Sequence, residues 1–466
     1  MKTLLINSFK KFSKRNFAET SINKITFKEF FFNTLNIIQH FKDKGLKEND
    51  RILIKLDNSL NYLEILLACF LGGFIACPID PTTKKRRINE LKKIYNIKYF
   101  IKEKIKFKKK EVNKSIINYN DTNCLLIGSS GTTGESKGIV FSSSSIVKSA
   151  KSFAQLAGYN TKSRILHCLP MFYMGGILDT FFASIINGST IIINPRFSIM
   201  NLNNFWELPI KNKANILFLT PSIISMICYM YKKPKVKLLN HLKKYKMIVA
   251  TGSTLHQEIR DKFFKIFKKK ISVCYGATEL GGPVALQIGR NCFKSNGGKH
   301  SNDIKIKIIS KKRKKLIFIK TPFLMKGYLT RKGFEKVQLF NNGYYNTGDI
   351  GTYQKGILKI EGRERDIIKR GGELLHLSFI ENIALKMKFI RDVAAFGKKD
   401  LNAGEELFLA ITLKKNKNKK NIIKKIFNFL STHLRPIEIP KKIFLIQKLP
   451  RTSSGKVLKN KLQLLD

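Results

Sequence analysis

Helix-length and strand-length apolar segments alternate along this chain, and that alternation restricts it to sheets covered by helices. Residues 26–44 carry apolar side chains at helical spacing and stop at Gly45, while residues 51–56 alternate like a strand. Residues 61–71 return to helical spacing, and 74–79 form a short apolar strand. The pattern continues through residues 119–127, 146–157, 165–169, 177–186 and 190–193. Residues 247–250, 255–267 and 271–274 add one more strand–helix–strand unit. Such a series predicts an α/β fold. From 304 to 353 the pattern changes to short strands and turns, which predicts a β-rich subdomain. Charge rises and hydrophobicity falls over residues 361–370, which read as a linker before a small α+β domain. The expected organisation is a large N-terminal domain of several subdomains, 1–360, and a small C-terminal domain, 361–466.

With 466 residues, 43% of them hydrophobic, the chain is too long for one compact core. Twelve prolines and 30 glycines argue against long disordered tracts. The charge is extreme, with 88 Lys+Arg against 32 Asp+Glu and a formal net charge of +56. That balance suits a nucleic-acid or membrane-surface binder. The lysines are spread along the chain among abundant Asn, Ile and Phe, which favours compositional drift and no specific nucleic-acid partner. Either way the field attracts anionic ligands. Seven scattered cysteines, with no C-x-x-C and no zinc spacing, suit a reduced, cytoplasmic protein with buried thiols. The N-terminal run has a four-residue apolar patch and no small-residue cleavage site, so it does not read as a signal peptide. Residues 62–79 are the most apolar stretch, but Glu64, Gly72, Gly73 and Pro78 interrupt them, and no transmembrane segment is expected.

Five segments carry chemistry. Ser129-Ser-Gly-Thr-Thr-Gly-Glu-Ser-Lys137 follows an apolar strand. Hydroxyls, a lysine and glycines that let backbone N–H groups approach suit phosphate oxygens, though the same loop alone is equally a flexible polar turn. It lacks the spacing of a Walker A loop. Tyr275-Gly-Ala-Thr-Glu279 puts a carboxylate beside a hydroxyl after a strand, and Asn346-Thr-Gly-Asp349 offers a lone aspartate in a turn. The charged strip from Glu361 ends in Lys369-Arg-Gly371-Gly372, and Leu449-Pro-Arg-Thr-Ser-Ser-Gly-Lys456 places a lysine on a tight loop.

Together, in this order, the five segments resemble the acyl-adenylate-forming superfamily of AMP-dependent synthetases and ligases, and most of all its acyl- and aryl-CoA ligases. Leu169-Pro-Met-Phe-Tyr-Met-Gly-Gly176 resembles the family's acyl-pocket motif, and residues 397–405 its C-terminal segment. The resemblance implies an ATP-dependent acid–thiol ligase: a small carboxylic acid and ATP give acyl-AMP and pyrophosphate, and the acyl group then passes to coenzyme A. It also implies roles. Ser129, Ser130, Gly131, Thr132, Thr133, Gly134 and Lys137 would hold the phosphates. Gly252, Ser253, Thr254, Tyr275 and Gly276 would line the adenine pocket. Thr278 would contact the α-phosphate, Glu279 would hold Mg²⁺, and Asp349 with Arg363 would take the ribose. Lys456 matches the catalytic lysine. After rotation of a mobile C-terminal domain about Arg365, Lys369, Gly371 and Gly372 would border the thiol's path. Tyr173 stands where many members carry His, and Phe379 where a Glu is usual, with Glu381 nearby. Two alternatives are an activating enzyme that loads the phosphopantetheine arm of an acyl carrier protein and, from another class, a basic nucleic-acid binder on a ligase fold.

Overall fold

The computed structural model describes residues 1–129, 137–198, 200, 202–288, 296–311, 314–370, 373–400, 404–414, 419–452 and 457–465. Its helices begin where the sequence supplies caps. Thr26 and Glu29 form a reciprocal capping box at the start of Phe27–Asp43. Ser59 accepts the amide of Tyr62 to open Leu60–Gly72, and Gly73, at φ +79°, closes that helix in the left-handed conformation. Thr220 caps Pro221–Met230, with proline in the first turn where its missing N–H is not needed.

The strands assemble into a thirteen-stranded, a seven-stranded and a five-stranded sheet. In the largest, Arg164–His167, Ile216–Leu219, Met247–Ala250 and Ser272–Ala277 run parallel. Ile216–Leu219 and Met247–Ala250 are buried at every residue, as parallel strands covered on both faces must be. From Ser272–Ala277 onward the same sheet continues antiparallel through Gly282–Leu286, Asn296–His300, Ile357–Arg363, Tyr345–Gln354, Lys314–Lys320 and Lys305–Lys311. The strands expected to form a β-rich subdomain do so as an antiparallel continuation of the main sheet, with a core cluster of their own, paired to it along the edge of Ser272–Ala277. The seven-stranded sheet contains Asn123–Ser129 and Lys137–Ser142 as antiparallel neighbours, with Ser129 opposite Lys137.

Residues 361–370, read from sequence as a linker, are ordered backbone. Ile357–Arg363 is a strand of the largest sheet, Glu364–Asp366 a single 3₁₀ turn, and Ile367–Arg370 a strand of the five-stranded sheet. Two strand ends and one turn that are rich in charged residues have the composition of a linker, and a composition count cannot separate the two. Among the described residues no sheet runs through this turn. The five-stranded sheet and the helices Leu377–Leu385 and Lys419–His433 share their own apolar core. The six described cysteines are buried and unpaired by disulfides. No described helix is long and apolar enough to cross a membrane.

One buried ion pair fixes the far edge of the largest sheet. Glu19, 2% exposed, accepts from Arg164 Nη2 at 2.5 Å and from Asn212 Nδ2 at 2.8 Å. Removing the cation leaves a buried carboxylate with one amide partner. Arg164→Met should therefore lower unfolding free energy by about 3 kcal/mol. A urea titration that shows no loss would mean that Asn212 alone satisfies Glu19.

Candidate active site

Among the described candidate residues, Tyr275, Asp349 and Arg363 meet at the carboxyl end of the parallel strand Ser272–Ala277, the edge at which open α/β sheets bind ligands. Tyr275 lies near the end of Ser272–Ala277, just before a bulge in its pairing with Gly282–Leu286. Its hydroxyl donates to Asp349 Oδ2 at 2.6 Å. Asp349 itself is 1% exposed. It sits opposite Arg363 across the antiparallel pair, and Arg363 Nε meets its other oxygen at 2.9 Å. Thr347 completes the turn: its hydroxyl accepts the amide of Asp349 and donates to the carbonyl of Ile317. Burial works against the charge on Arg363, but Asp349, Tyr275, Asp366 and Glu279 together outweigh it and raise the guanidinium above its ordinary value. Burial, followed by the neighbouring carboxylate, pushes the Tyr275 phenol well up, so it remains a donor.

Thr278 and Glu279 occupy the tip of the hairpin between Ser272–Ala277 and Gly282–Leu286. Backbone bonds from Leu280 to Ala277 and from Gly281 to Thr278 close that tip, and Gly281 takes φ +79° there. A Cβ on Gly276 would stand 2.3 Å from the carbonyl of Gly282, so only glycine fits beside the tip. The Glu279 charge acts on Tyr328, Tyr345 and Arg363, which sets it on the same side as Asp349. Lys137 Nζ lies 5.5 Å from the centre of the Tyr328 ring, and Tyr328 meets Tyr345 hydroxyl to hydroxyl at 3.5 Å. The two tyrosines thus bridge the start of Lys137–Ser142 to the Asp349 cluster. Gly252, at φ +89°, Ser253 and Thr254 form an exposed loop after Met247–Ala250, next to the strand that carries Tyr275.

Ser130, Gly131, Thr132, Thr133, Gly134, Gly371, Gly372 and Lys456 lie outside the described residues, as do the side chains of Ser129, Arg365 and Lys369. The residues that flank Lys456 are described. Arg451 bridges to Val457, and Leu449 and Leu462 are buried against Ala394 and Phe396. Lys459 pairs with Glu381 at 3.3 Å and Asp366 at 3.4 Å. It ties the chain just beyond Lys456 to the turn at the sheet junction. Glu381 also accepts the amide of Ala395 at 2.8 Å, whereas Phe379 is exposed.

Among the described residues no group of three or more His, Cys, Asp or Glu is placed to hold a metal. A magnesium ion that arrives on nucleotide phosphates needs only one or two protein carboxylates. Glu279, partly exposed on its hairpin tip, meets that requirement.

Tyr173 is half-buried against Phe172, with ring centroids 4.5 Å apart, and the chain then enters a π-helix over Gly176–Phe182. The wider turn packs Leu178 where a Cβ on Gly282 would come within 2.8 Å, so this helix rests on the hairpin that carries Glu279. It also holds a residue passed over in the sequence, Asp179. Its carboxyl is buried, Oδ1 has no hydrogen-bond partner, and Oδ2 lies 3.4 Å from where a Cβ on Gly175 would be. The available signal was an acidic residue in an otherwise apolar helical run. Burial pushes this carboxyl well above the usual carboxylate range. From about pH 4 upward the unfolded chain ionises this group while the folded chain keeps it protonated, so stability falls as pH rises. The stability of Asp179→Asn relative to the parent should improve steadily from about pH 4 to neutral. Thermal midpoints whose difference does not vary with pH would show the carboxyl to be solvated.

The sequence pattern of the AMP-binding enzyme family matches residues 7–329, and that of the AMP-binding enzyme C-terminal domain matches 380–456. The chain is 27% identical over 355 residues to long-chain-fatty-acid–CoA ligase FadD13 of Mycobacterium tuberculosis, covering 74% of this chain and 67% of the other. It is 24% identical over 475 residues to 2-succinylbenzoate–CoA ligase of Bacillus subtilis, covering 94% and 93%. In structure it is similar to AMP-bound o-succinylbenzoate CoA synthetase of Bacillus subtilis, with TM-score 0.84, 21% identity and coverage of 99% and 98%. ATP-bound MatB of Rhodopseudomonas palustris gives TM-score 0.86 at 17% identity, again with 99% and 98% covered. These likenesses in structure establish the fold, and the match over more than half of the sequence establishes the family: the chain belongs to the AMP-binding enzymes.

Proposed function

We propose that this chain is an ATP-dependent carboxylate–coenzyme A ligase. It joins a carboxylic acid to ATP as an acyl-adenylate with release of pyrophosphate, then transfers the acyl group to the CoA thiol. The observation that carries the reading is the buried Asp349, fixed from two sides by Tyr275 and Arg363 at the strand ends. Each of its oxygens keeps a second lone pair, which suits the two hydroxyls of a ribose.

In this reading Lys137 and the loop of Ser129, Ser130, Gly131, Thr132, Thr133 and Gly134 hold the phosphates. Gly252, Ser253, Thr254 and Gly276 border the base, and Thr278 meets the α-phosphate. Magnesium held by Glu279 supplies positive charge across the phosphates. The attacking carboxylate is already ionised, so the chain needs no general base. Its task is to offset the negative charge that gathers at the α-phosphorus, and Lys456 is the donor for that. The unit from residue 361 onward then turns about Arg365 and brings Lys369, Gly371 and Gly372 to the thiol's path. The compartment is the cytoplasm, where the buried cysteines stay reduced.

Pyrophosphate release with ATP and magnesium over a panel of carboxylic acids tests the reading, followed by thioester formation with CoA and, separately, with acyl carrier proteins. Absence of acid-dependent release across the panel would overturn it. Thioester on a carrier alone would replace CoA as the acceptor. Lys456→Ala should slow adenylation by roughly 10²–10³-fold. It should leave transfer from a supplied acyl-adenylate nearly unchanged, and equal losses in both steps would remove Lys456 from the proposed role. Asp349→Asn should raise KM for ATP by about tenfold or more, the scale of a hydrogen bond to a charged group. An unchanged KM would place the ribose elsewhere.

A further inference from the structure

The helix Pro221–Met230 contains no charged residue, in a chain of which 26% is charged. One side of it is core: Ile223, Ile224, Ile227 and Cys228 are buried. The opposite side should carry polar residues on a surface helix. Beside the partly exposed Ser222 and Ser225 it presents Met226, Tyr229 and Met230, spaced i, i+3, i+4 in one stripe and exposed by 37%, 57% and 44%. The Tyr231 hydroxyl donates to the carbonyls of Leu202 and Asn203, which fastens the chain at the helix end.

The chain then turns into Lys232, Lys233 and Lys235, all exposed. Lys232 Nζ stands 5.8 Å from the centre of the Tyr229 ring, so the basic collar begins at the edge of the apolar stripe. No Asp or Glu occurs between Glu207 and Glu258. Two methionines and one tyrosine, bordered by Lys232 and the lysines that follow it, suit an interface that is apolar inside and anionic at its rim. A protein partner of mixed charge would leave the collar unpaired, and a nucleic acid would leave the thioethers against phosphate.

We propose that the face formed by Met226, Tyr229 and Met230 with the adjoining Lys232, Lys233 and Lys235 docks on an anionic phospholipid surface. The apolar side chains enter the acyl boundary and the lysines meet the headgroup phosphates. The inference stands apart from the ligase reading. It does place the docked face one short helix away from Thr220, whose methyl lies 4.0 Å from where a Cβ on Gly252 would be.

The test is co-sedimentation of the full chain with vesicles of phosphatidylcholine alone or with phosphatidylglycerol added, at low and high salt. The net charge attracts the whole molecule to anionic vesicles at low salt, so the informative fraction is the one that resists salt. Three variants separate the sources. Met226→Ser with Tyr229→Ser and Met230→Ser should lose that fraction, with partition falling about tenfold or more. Lys232→Gln with Lys233→Gln and Lys235→Gln should weaken binding to anionic vesicles at low salt. Lys104→Gln with Lys106→Gln and Lys108→Gln, equal in charge and distant in sequence, should change little. Equal losses in the two lysine variants with none in the apolar variant would reduce the effect to bulk charge and overturn the proposal. So would a concentration-dependent dimer, or DNA binding, that the apolar variant abolishes while vesicle binding persists. All substituted side chains are exposed, so the fold does not depend on them.

Discussion

The contact on which the rest of the site depends is the buried carboxylate of Asp349. It joins three pieces of chain that are far apart in sequence: the end of a parallel strand through Tyr275, the turn at Thr347 through its own amide, and the last residue of Ile357–Arg363 through an ion pair. A carboxylate that is 1% exposed is retained only if its oxygens are matched. Here two donors of different hardness share them. The phenol, held protonated by burial and by Asp349 itself, supplies a neutral hydrogen bond. The guanidinium, held charged by the same group among others, supplies the counter-charge. Neither donor uses the full accepting capacity of the carboxylate. That combination leaves the group both fixed in place and able to take further donors.

How much of this was legible in the sequence depends on the range of each interaction. Strands, helices and caps were readable because they are local: Thr26 with Glu29, and Ser59 before an apolar run, announce helix starts within four residues. The chemical segments were readable as segments. That Asp349 would meet Arg363 follows from the register of one antiparallel pair with a shift just beyond it, and sequence spacing alone does not set that register. The bulge at Tyr275 and Gly276 is of the same kind. Asp179 escaped because a helical-period reading assigns faces by a regular turn, and the π-helix over Gly176–Phe182 changes the turn. Residues 361–370 read as a linker because the ends of two strands and the single turn between them, rich in charged residues, have the composition of one.

The charge on the chain poses a separate physical problem. With 88 Lys+Arg against 32 Asp+Glu, most cations can have no carboxylate partner. The acidic residues are accordingly concentrated where they do most. Glu19 closes a sheet edge, Asp349 organises the candidate site, and Glu381 and Asp366 share Lys459. Most of the other described lysines face water, where a high dielectric and salt make their mutual repulsion small, with the buried Lys2 as an exception. The acid-free span between Glu207 and Glu258 is the exception to this economy, since it combines unpaired cations with exposed apolar groups.

The junction at Glu364–Asp366 has to satisfy two demands at once. In the proposed cycle it must let the C-terminal unit change its facing, yet it must keep each facing well defined. The structure supplies contacts of both characters. His256 Nδ1 and Asn382 Oδ1 meet at 2.5 Å between the loop after Met247–Ala250 and the helix Leu377–Leu385, a polar contact that water can replace at little cost. The Lys459 bridge to Asp366 and Glu381 belongs instead to the C-terminal side and travels with it. Burial disfavours the Lys459 charge, but Glu381 and then Asp366 outweigh that and raise the ammonium above its usual value. The charge there is permanent through any neutral pH range. The segment beyond Lys456 is thus locked to the strip that begins at Ile367, so the two would move as one rigid piece. A single rotation would then remove the one from the nucleotide as it presents the other. That coupling requires no communication through the large sheet, only that the contacts between the units, His256 with Asn382 and Ile367 on Leu316, Phe318 and Ile350, give way before the Lys459 bridge within the smaller.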